Sequence, residues 1–261
     1  MDVTADNLLK TGTLPKTGGA YQIIKLSADH LDAVTALHKA VHADLPDDKK
    51  SFLMSKDATT FQKHLDRGNV ILGCVYEGRL IAQSLMTLPD AQHQSELLND
   101  MIAPPRPENT AILGGMVVHP DYRGNGLQKI MLAARISLAH AIGRKDIVSS
   151  ADIGNMASWQ NLLRKGLEID AIGARKDGTL RYIFYGKTEE LLKEKHTHAN
   201  EENTIALIEC SRAAIGAQKR LLRKGYKGTG FDAGQETIKF SLKADPQALN
   251  LNSIRSPSLT V

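Results

Sequence analysis

Cysteine is nearly absent from this chain: Cys74 and Cys210 are the two present in 261 residues. Two thiols so far apart give no disulfide framework, which suits a reducing cytoplasm. Cys74 lies in an apolar run and reads as a buried free thiol. Aromatics make up 5% of the residues, with a single tryptophan. No apolar run is long enough to span a membrane, so no membrane association is expected. The N-terminus lacks a basic segment followed by an apolar core, so no secretory signal is read. Neither charge sign dominates: 33 Lys and Arg against 29 Asp and Glu leave a net +4. That balance favours an anionic ligand and does not by itself indicate nucleic acid. There is no Gly-x-x-x-x-Gly-Lys-Ser/Thr, which excludes a triphosphate P-loop. The third glycine of a dinucleotide fingerprint is also missing.

What the chain does have is 42% hydrophobic residues, enough for a sizeable core, in a length that fits one or two domains. Its most informative stretch is Val117-Val118-His119-Pro120-Asp121-Tyr122-Arg123-Gly124-Asn125-Gly126-Leu127-Gln128. An apolar run, Ala111-Ile112-Leu113 and Met116-Val117-Val118, reads as a buried strand. Pro120 cannot donate to a ladder, so pairing should end there. Gly124 and Gly126 allow positive φ and close approach of a ligand. Leu127, Ile130, Met131, Ala134, Leu138 and Ile142 then recur at helical spacing. A helix starting near Gly126 would aim free N–H groups and its positive dipole end at the turn. Such a turn seats a diphosphate without a metal.

Val118 to Leu127 resembles motif A of the GCN5-related N-acetyltransferases, the GNAT superfamily, written Gln/Arg-x-x-Gly-x-Gly/Ala. Arg123 and Gly126 match its first two fixed positions, and Gln128 stands where Gly or Ala is usual. Asn155-Met156-Ala157-Ser158-Trp159, followed by Leu162-Leu163-Arg164-Lys165-Gly166-Leu167, resembles a later helix of the family. In order and spacing the resemblance runs from Tyr21 to Lys187. It implies an α/β fold with a mixed, mainly antiparallel sheet flanked by helices. It also implies acetyl-CoA as acyl donor, no metal, and the amine of a small molecule or peptide as acceptor. Backbone at Met116, Val117 and Val118 would bond the pantetheine, with the Val118 N–H polarising the thioester carbonyl. Arg123, Gly124, Asn125, Gly126, Leu127, Gln128 and Lys129 would hold the pyrophosphate. Asn155 would hold the pantetheine, with Ser158 close by. Asn155 would in any case cap its helix.

In chain order, residues 1–19 read as a loose leader and 20–187 as the acyl-CoA-binding domain. Tyr21 to Leu26 is a first strand. A helix follows, with Leu31, Val34, Leu37 and Val41 on one face, then an acidic loop with Asp44, Asp47 and Asp48, and a helix from Ala58 to Leu65. Strands Asn69–Tyr76 and Leu80–Leu88 flank a hairpin turn at Glu77-Gly78. Residues 89–109 form a Pro-rich insertion with a short helix near Leu97. After the motif come a strand from Asp146 to Ala151 and a closing hairpin around Asp177-Gly178. Residues 188–243 read as a helix–strand extension, with its helix beginning at Ile205 and a strand from Thr237 to Leu242; residues 244–261 read as a polar tail. Leu162-Leu163-Arg164-Lys165-Gly166 recurs as Leu221-Leu222-Arg223-Lys224-Gly225. Either the helix–hairpin unit is duplicated, or two helices simply share a basic C-terminus followed by Gly. We favour the second reading for ancestry, and expect the extension to be folded.

The family's usual proton-transfer residues are not matched. The family often carries Glu or Asp a few residues before the motif Pro; here Gly114-Gly115 stands there. It often carries Tyr seven residues after the Asn; here Leu162 does. Glu108, His119 and Asp152 are the remaining candidates, with water or proximity as alternatives. Gly114-Gly115 would leave room for a bulky acceptor or a larger acyl group, or would mark a bulge. His38 and His42 have zinc-like spacing but no third ligand, and read as a solvated face. His196-Thr197-His198 reads in the same way. Arg212, Lys219, Arg220, Arg223, Lys224 and Lys227 make the C-terminal helix basic, a surface for RNA or an acidic protein. Without an aromatic ladder nucleic acid is not expected. A homodimer stays open. Without its usual proton-transfer residues, the chain could also be a non-catalytic acyl-CoA-binding regulatory module.

Overall fold

The computed structural model describes residues 7–193 and 204–244. The chain begins β1 (Leu8–Thr13), β2 (Ala20–Leu26), α1 (Leu31–Asp44), α2 (Ala58–Asp66), β3 (Val70–Tyr76) and β4 (Arg79–Thr87). Next come α3 (Glu96–Asn99), β5 (Thr110–Val118), α4 (Leu127–Ala141), β6 (Asp146–Asp152), α5 (Met156–Lys165), β7 (Glu168–Ala174) and β8 (Leu180–Lys187). The rest is α6 (Thr188–Leu192), β9 (Thr204–Ser211), α7 (Ile215–Arg223), β10 (Lys227–Asp232) and β11 (Thr237–Lys243). One sheet of 11 strands runs β1-β2-β3-β4-β5-β6-β8-β7-β10-β11-β9. Its pairs are antiparallel except β5 with β6. Residues of α4, α5 and α7 pack into one core with fully buried Trp159, Tyr182, Phe184 and Phe240. Val34, Leu37 and Val41 of α1 and Phe61 of α2 fill two smaller cores. Among the described residues no helix is long and apolar enough to cross a membrane.

Most elements fall where hydrophobic spacing puts them. Glu77 and Gly78 both take positive φ, 48° and 72°, as a two-residue β3–β4 hairpin requires. Two expectations fail. Leu8–Thr13, read as part of a loose leader, is a strand paired to β2. The strand is polar because it is a sheet edge, so period-two burial is not written into it. Residues 205–211, read as helix, are strand β9, paired along its length with β11. The seven-residue recurrence of Leu207, Ala214 and Leu221 spans a strand, a turn and a helix. Only the last of these residues is in α7. The readings at His196-Thr197-His198 and over 245–261 lie outside the described residues.

The last three strands and the helix among them repeat an earlier unit. Elements β6–α5–β7–β8 and β9–α7–β10–β11 share one order, and their strands lie in mirrored sequence across the sheet. The agreement reaches individual bonds. The caps of α5 and α7, Asn155 and Ala214, have backbone angles of −84°/69° and −84°/58°. Trp159 donates its indole N–H to the Ile153 carbonyl (3.0 Å), and Gln218, the matching residue, donates to the Arg212 carbonyl (2.9 Å). Both helices end in a positive-φ glycine, Gly166 and Gly225. Both hairpins carry a bulge at the same place, Ile169/Ala171 and Gly228/Gly230. The units meet where Ile169 pairs with Gly228, its own counterpart. A Cβ on Gly228 would lie 2.9 Å from Ile169, so the meeting point requires glycine. Trp159 of the first unit stacks edge-on against Phe231 of the second at 4.8 Å. The echo is therefore a structural repeat.

Trp159 touches both units and is fully buried, so Trp159→Ala should cost about 3–5 kcal/mol of stability. Urea unfolding followed by far-UV circular dichroism measures it; a cost under about 1 kcal/mol would contradict this packing.

Candidate functional site

The site begins where the sheet splits. The parallel ladder of β5 and β6 runs from Thr110–Asp146 to Leu113–Ser149 and stops. Ser149 Oγ donates to the Leu113 carbonyl at 3.0 Å and closes the last rung. Beyond it, β5 stays with β4 through Val118–Ala82, while β6 stays with β8 through Asp152–Arg181. A wedge opens between the strands. His119 donates its N–H to the Ile81 carbonyl on the β4 side (2.9 Å). Alternation along the strand therefore turns the Val118 and Met116 N–H groups towards the wedge.

Gly114-Gly115 lies at the fork. Met116 pairs Ser84 and Leu113 pairs Met86, so β5 carries one extra residue, a bulge. A Cβ on Gly114 would sit 3.2 Å from Leu85 Cβ, whereas one on Gly115 would meet nothing within 4 Å. The first glycine thus serves packing and the second leaves open space. Arg135 of α4, 4% exposed, donates to the Gly114 carbonyl (3.0 Å) and reaches the Leu85 carbonyl (3.4 Å). Burial lowers its pKa to about 10, which leaves it charged at neutral pH. A buried cation thereby fastens the bulge from behind.

At the wide end of the wedge stands the glycine turn. Gly124 and Gly126 have φ of 82° and 68°, and Gly126 caps α4. The N–H groups of Gly124, Asn125, Gly126, Leu127 and Gln128 have no acceptor among the described residues. Five successive free donors at the positive end of a helix form a seat for an anion. Asn125 is buried, and its side chain shapes the turn rather than lining it. It accepts from the Lys16 N–H (3.0 Å) and donates to the Tyr122 carbonyl (3.1 Å). Lys16 comes from the β1–β2 turn, and its Nζ would lie 3.9 Å from a Cβ on Gly124. No sequence signal linked Lys16 to the turn across 109 positions. Arg123 is exposed and paired with Asp44 at 2.7 Å. An exposed pair of this kind is worth at most about 1 kcal/mol and can be exchanged for an anion. Lys129 is exposed beside it. The Gln128 side chain accepts from Asn161 Nδ2 of α5 and so ties the two helices bounding the wedge. Across the wedge Asn155 caps α5, accepting from the Ser158 N–H at 3.2 Å.

The other candidates sort differently. Glu108 is exposed, and its carbonyl accepts from Arg144. His119 Nδ1 accepts from the Asp121 N–H at 3.3 Å. Asp152, 7% exposed, folds the turn before Asn155 by accepting from the Gly154 N–H at 2.8 Å. In the acidic loop, Asp44 holds Arg123 and Asp47 holds Lys50 at 2.6 Å. His38, read as part of a solvated face, is instead 3% exposed. Its Nε2 meets the Met54 carbonyl at 3.0 Å and its ring stacks edge-on with Phe61 at 5.4 Å. Burial, aided by Lys56 and His42, lowers its pKa and keeps it neutral. With Lys56, Gln83, Gly115 and Val117 it lines a cavity of about 10 Å³, the size of one water. Gln83 Oε1 is buried there without a partner. Among the described residues no three His, Cys, Asp or Glu side chains cluster as a metal site would need.

The site thus combines a split sheet with a helix N-terminus that carries five free amides. The Acetyltransferase (GNAT) family model matches residues 35–166, half of the chain, and the protein belongs to that family. Solved structures share the fold at low identity. The GNAT domain of S. lividans PAT aligns with a TM-score of 0.51 at 16% identity, covering 71% of this chain and 100% of that one. A GNAT-family acetyltransferase from Listeria monocytogenes gives 0.51 at 14%, covering 68% and 99%. Mycobacterium smegmatis RimJ, solved with CoA-disulfide, gives 0.51 at 15%, covering 72% and 90%. No curated protein matches by sequence.

Asn125→Ala removes two buried hydrogen bonds from the turn and should cost about 1–3 kcal/mol. Urea unfolding gives the cost, and hydrogen exchange should rise first at the Lys16 N–H, which donates to Asn125; unchanged exchange there would rule out the clasp.

Proposed function

We propose that this protein is an N-acetyltransferase that moves an acetyl group from acetyl-CoA directly to the amine of a small molecule or peptide. The observation that carries this is the row of five free amides from Gly124 to Gln128, set at the open end of the β5–β6 wedge. The unpaired donors fit a diphosphate, and the wedge fits an extended arm. When bound, acetyl-CoA supplies an activated acyl group as a thioester. The turn from Arg123 to Lys129 holds the diphosphate, with the Lys16 ammonium as a further cation. The Met116–Val118 backbone and the Asn155 amide hold the arm, with Ser158 beside Asn155. The Val118 N–H, turned into the wedge, is placed to donate to a carbonyl oxygen and steady negative charge developing there.

Transfer needs an acceptor nitrogen without its extra proton. His38 is neutral and buried, and the small cavity joins it to Gly115 at the fork. We read it as the proton acceptor, acting through a water held by Gln83 Oε1. The amine proton then passes to water and on to His38 Nδ1, since Nε2 faces the Met54 carbonyl; the C–N bond would form as the C–S bond breaks, with the released thiolate taking its proton from solvent. This answers the missing acidic residue at Gly114-Gly115. It also favours an enzyme over the alternative, a non-catalytic acyl-CoA-binding module.

Isothermal titration should show CoA binding, and an amine panel with thiol detection should show turnover. Tight CoA binding with no turnover on any amine would support the binding module instead. The rate should be supported by neutral His38 and fall as pH drops through a pKa below its ordinary 6.5. His38→Gln should lower kcat about 10²-fold with little change in KM for acetyl-CoA, and should remove that acid limb. A limb that persists in His38→Gln would assign the proton to another group. The open space at Gly115 admits an acyl group larger than acetyl; strict preference for acetyl- over propionyl- and succinyl-CoA would count against this.

A further inference from the structure

The repeat leaves one surface uncovered, and the first unit shows what kind of chain covers it. In the first unit, the outer edge of β6 from Asp146 to Ser149 is paired by β5. The matching residues of the second unit are Ile205 to Ile208 on β9, and β9 is the last strand of the sheet. Nothing in the described fold occupies the place of β5. The residues bared are apolar: Ile205, Leu207 and Ile208 are 65%, 59% and 38% exposed. No proline or lysine guards this edge, as natural edge strands commonly arrange. Beside it, β9 and α7 enclose a groove of about 310 Å³, floored by Ile208, Cys210, Ala217 and Leu221, walled by Arg220 and Lys224 and bordered by Glu209. In the first unit Asn161, the counterpart of Arg220, bonds the covering helix α4 through Gln128.

We propose that the β9 edge and the α7 groove are a docking site for an acidic, extended segment of a partner protein, which adds to the sheet as a twelfth strand. The edge N–H and C=O groups of Ile205 to Ile208 supply the ladder. Ile205 and Leu207 meet apolar side chains on one face, and the groove takes apolar and acidic side chains on the other. Arg220 and Lys224 have no carboxylate partner among the described residues, whereas Glu209 already accepts from Thr237 Oγ1 (3.2 Å) and faces Lys239 (3.7 Å). The charge thus calls for an acidic partner. It opposes a second copy, because a two-fold through β9 sets the two α7 helices side by side with their cations facing. RNA has the charge but no backbone to extend a β-ladder. The second unit lacks the glycine turn, and Ala214 stands where Asn155 does, so it is not a second cofactor site.

Fluorescence anisotropy on the full-length protein tests this with labelled peptides of eight residues, the length of β9. One alternates Val with Glu, one alternates Val with Lys, and one is the Glu peptide with alternate backbone N-methylation. An oligouridylate of similar length is the fourth probe. The Glu peptide should bind, and N-methylation should abolish binding. Arg220→Glu with Lys224→Glu should weaken it at least about tenfold, and Leu207→Lys likewise, with the thermal midpoint and CoA affinity unchanged. Equal or tighter binding of the Lys peptide or the oligouridylate would overturn the proposal. So would no binding of the Glu peptide, or binding indifferent to all three substitutions. Sedimentation velocity provides the remaining test: a dimer that Leu207→Lys dissociates would assign the face to a second copy and overturn the partner.

Discussion

The end of the β5–β6 ladder at Leu113 and Ser149 governs the rest of this molecule. A strand cannot lie unpaired in a protein interior, because each bare N–H and C=O costs free energy until something bonds it. Here the unpaired length of β5 faces a wedge that an extended ligand can fill. The bulge at Gly114-Gly115 bends β5 away, Arg135 anchors the bent carbonyls, and Ser149 finishes the last rung. The glycine turn stands at the mouth of the same wedge. An open strand edge and a row of free amides therefore arise from one strand and the helix after it.

The helix that follows the turn links the two faces of this site. It begins at the free amides and, two turns on, sends Arg135 behind the bulge. Its Gln128 meets Asn161 of α5, while Asn155 caps that same helix. A displacement of α4 would reach the anion seat, the fork and the far wall together. The β1–β2 hairpin adds an outer support, since Lys16 is joined to Asn125 through its backbone and overhangs the turn with its side chain.

Much of this was legible in the sequence. Pro120, the two glycines and the apolar spacing after Leu127 each have a local cause, so the strand, turn and helix could be read directly. Residues whose roles depend on distant partners could not. Lys16 lies in a polar edge strand's turn and gains meaning only against Asn125. His38 looked solvated beside His42, yet α2 and the chain around Met54 bury it. The strand β9 imitated a helix because Leu207, Ala214 and Leu221 happen to fall seven apart. The repeat was visible as five residues, Leu-Leu-Arg-Lys-Gly, because those end a helix in both units; elsewhere the units agree in backbone and bonding while Trp159 stands opposite Gln218 and Asn155 opposite Ala214.

The pairing of Ile169 with Gly228 has a consequence for mass action. Two identical chains that meet about a two-fold must find each other, and such an interface is lost on dilution. Here the two halves of the interface are joined by covalent chain, so their meeting is a first-order event whose entropic cost grows only with the logarithm of the connecting length. The extended sheet, and the new edge it presents at β9, therefore persist at any concentration at which the protein is folded. Because the halves belong to one chain, they need not be identical. Gly228 opposite Ile169, its own counterpart, is an asymmetry that a symmetric pair of chains could not have adopted.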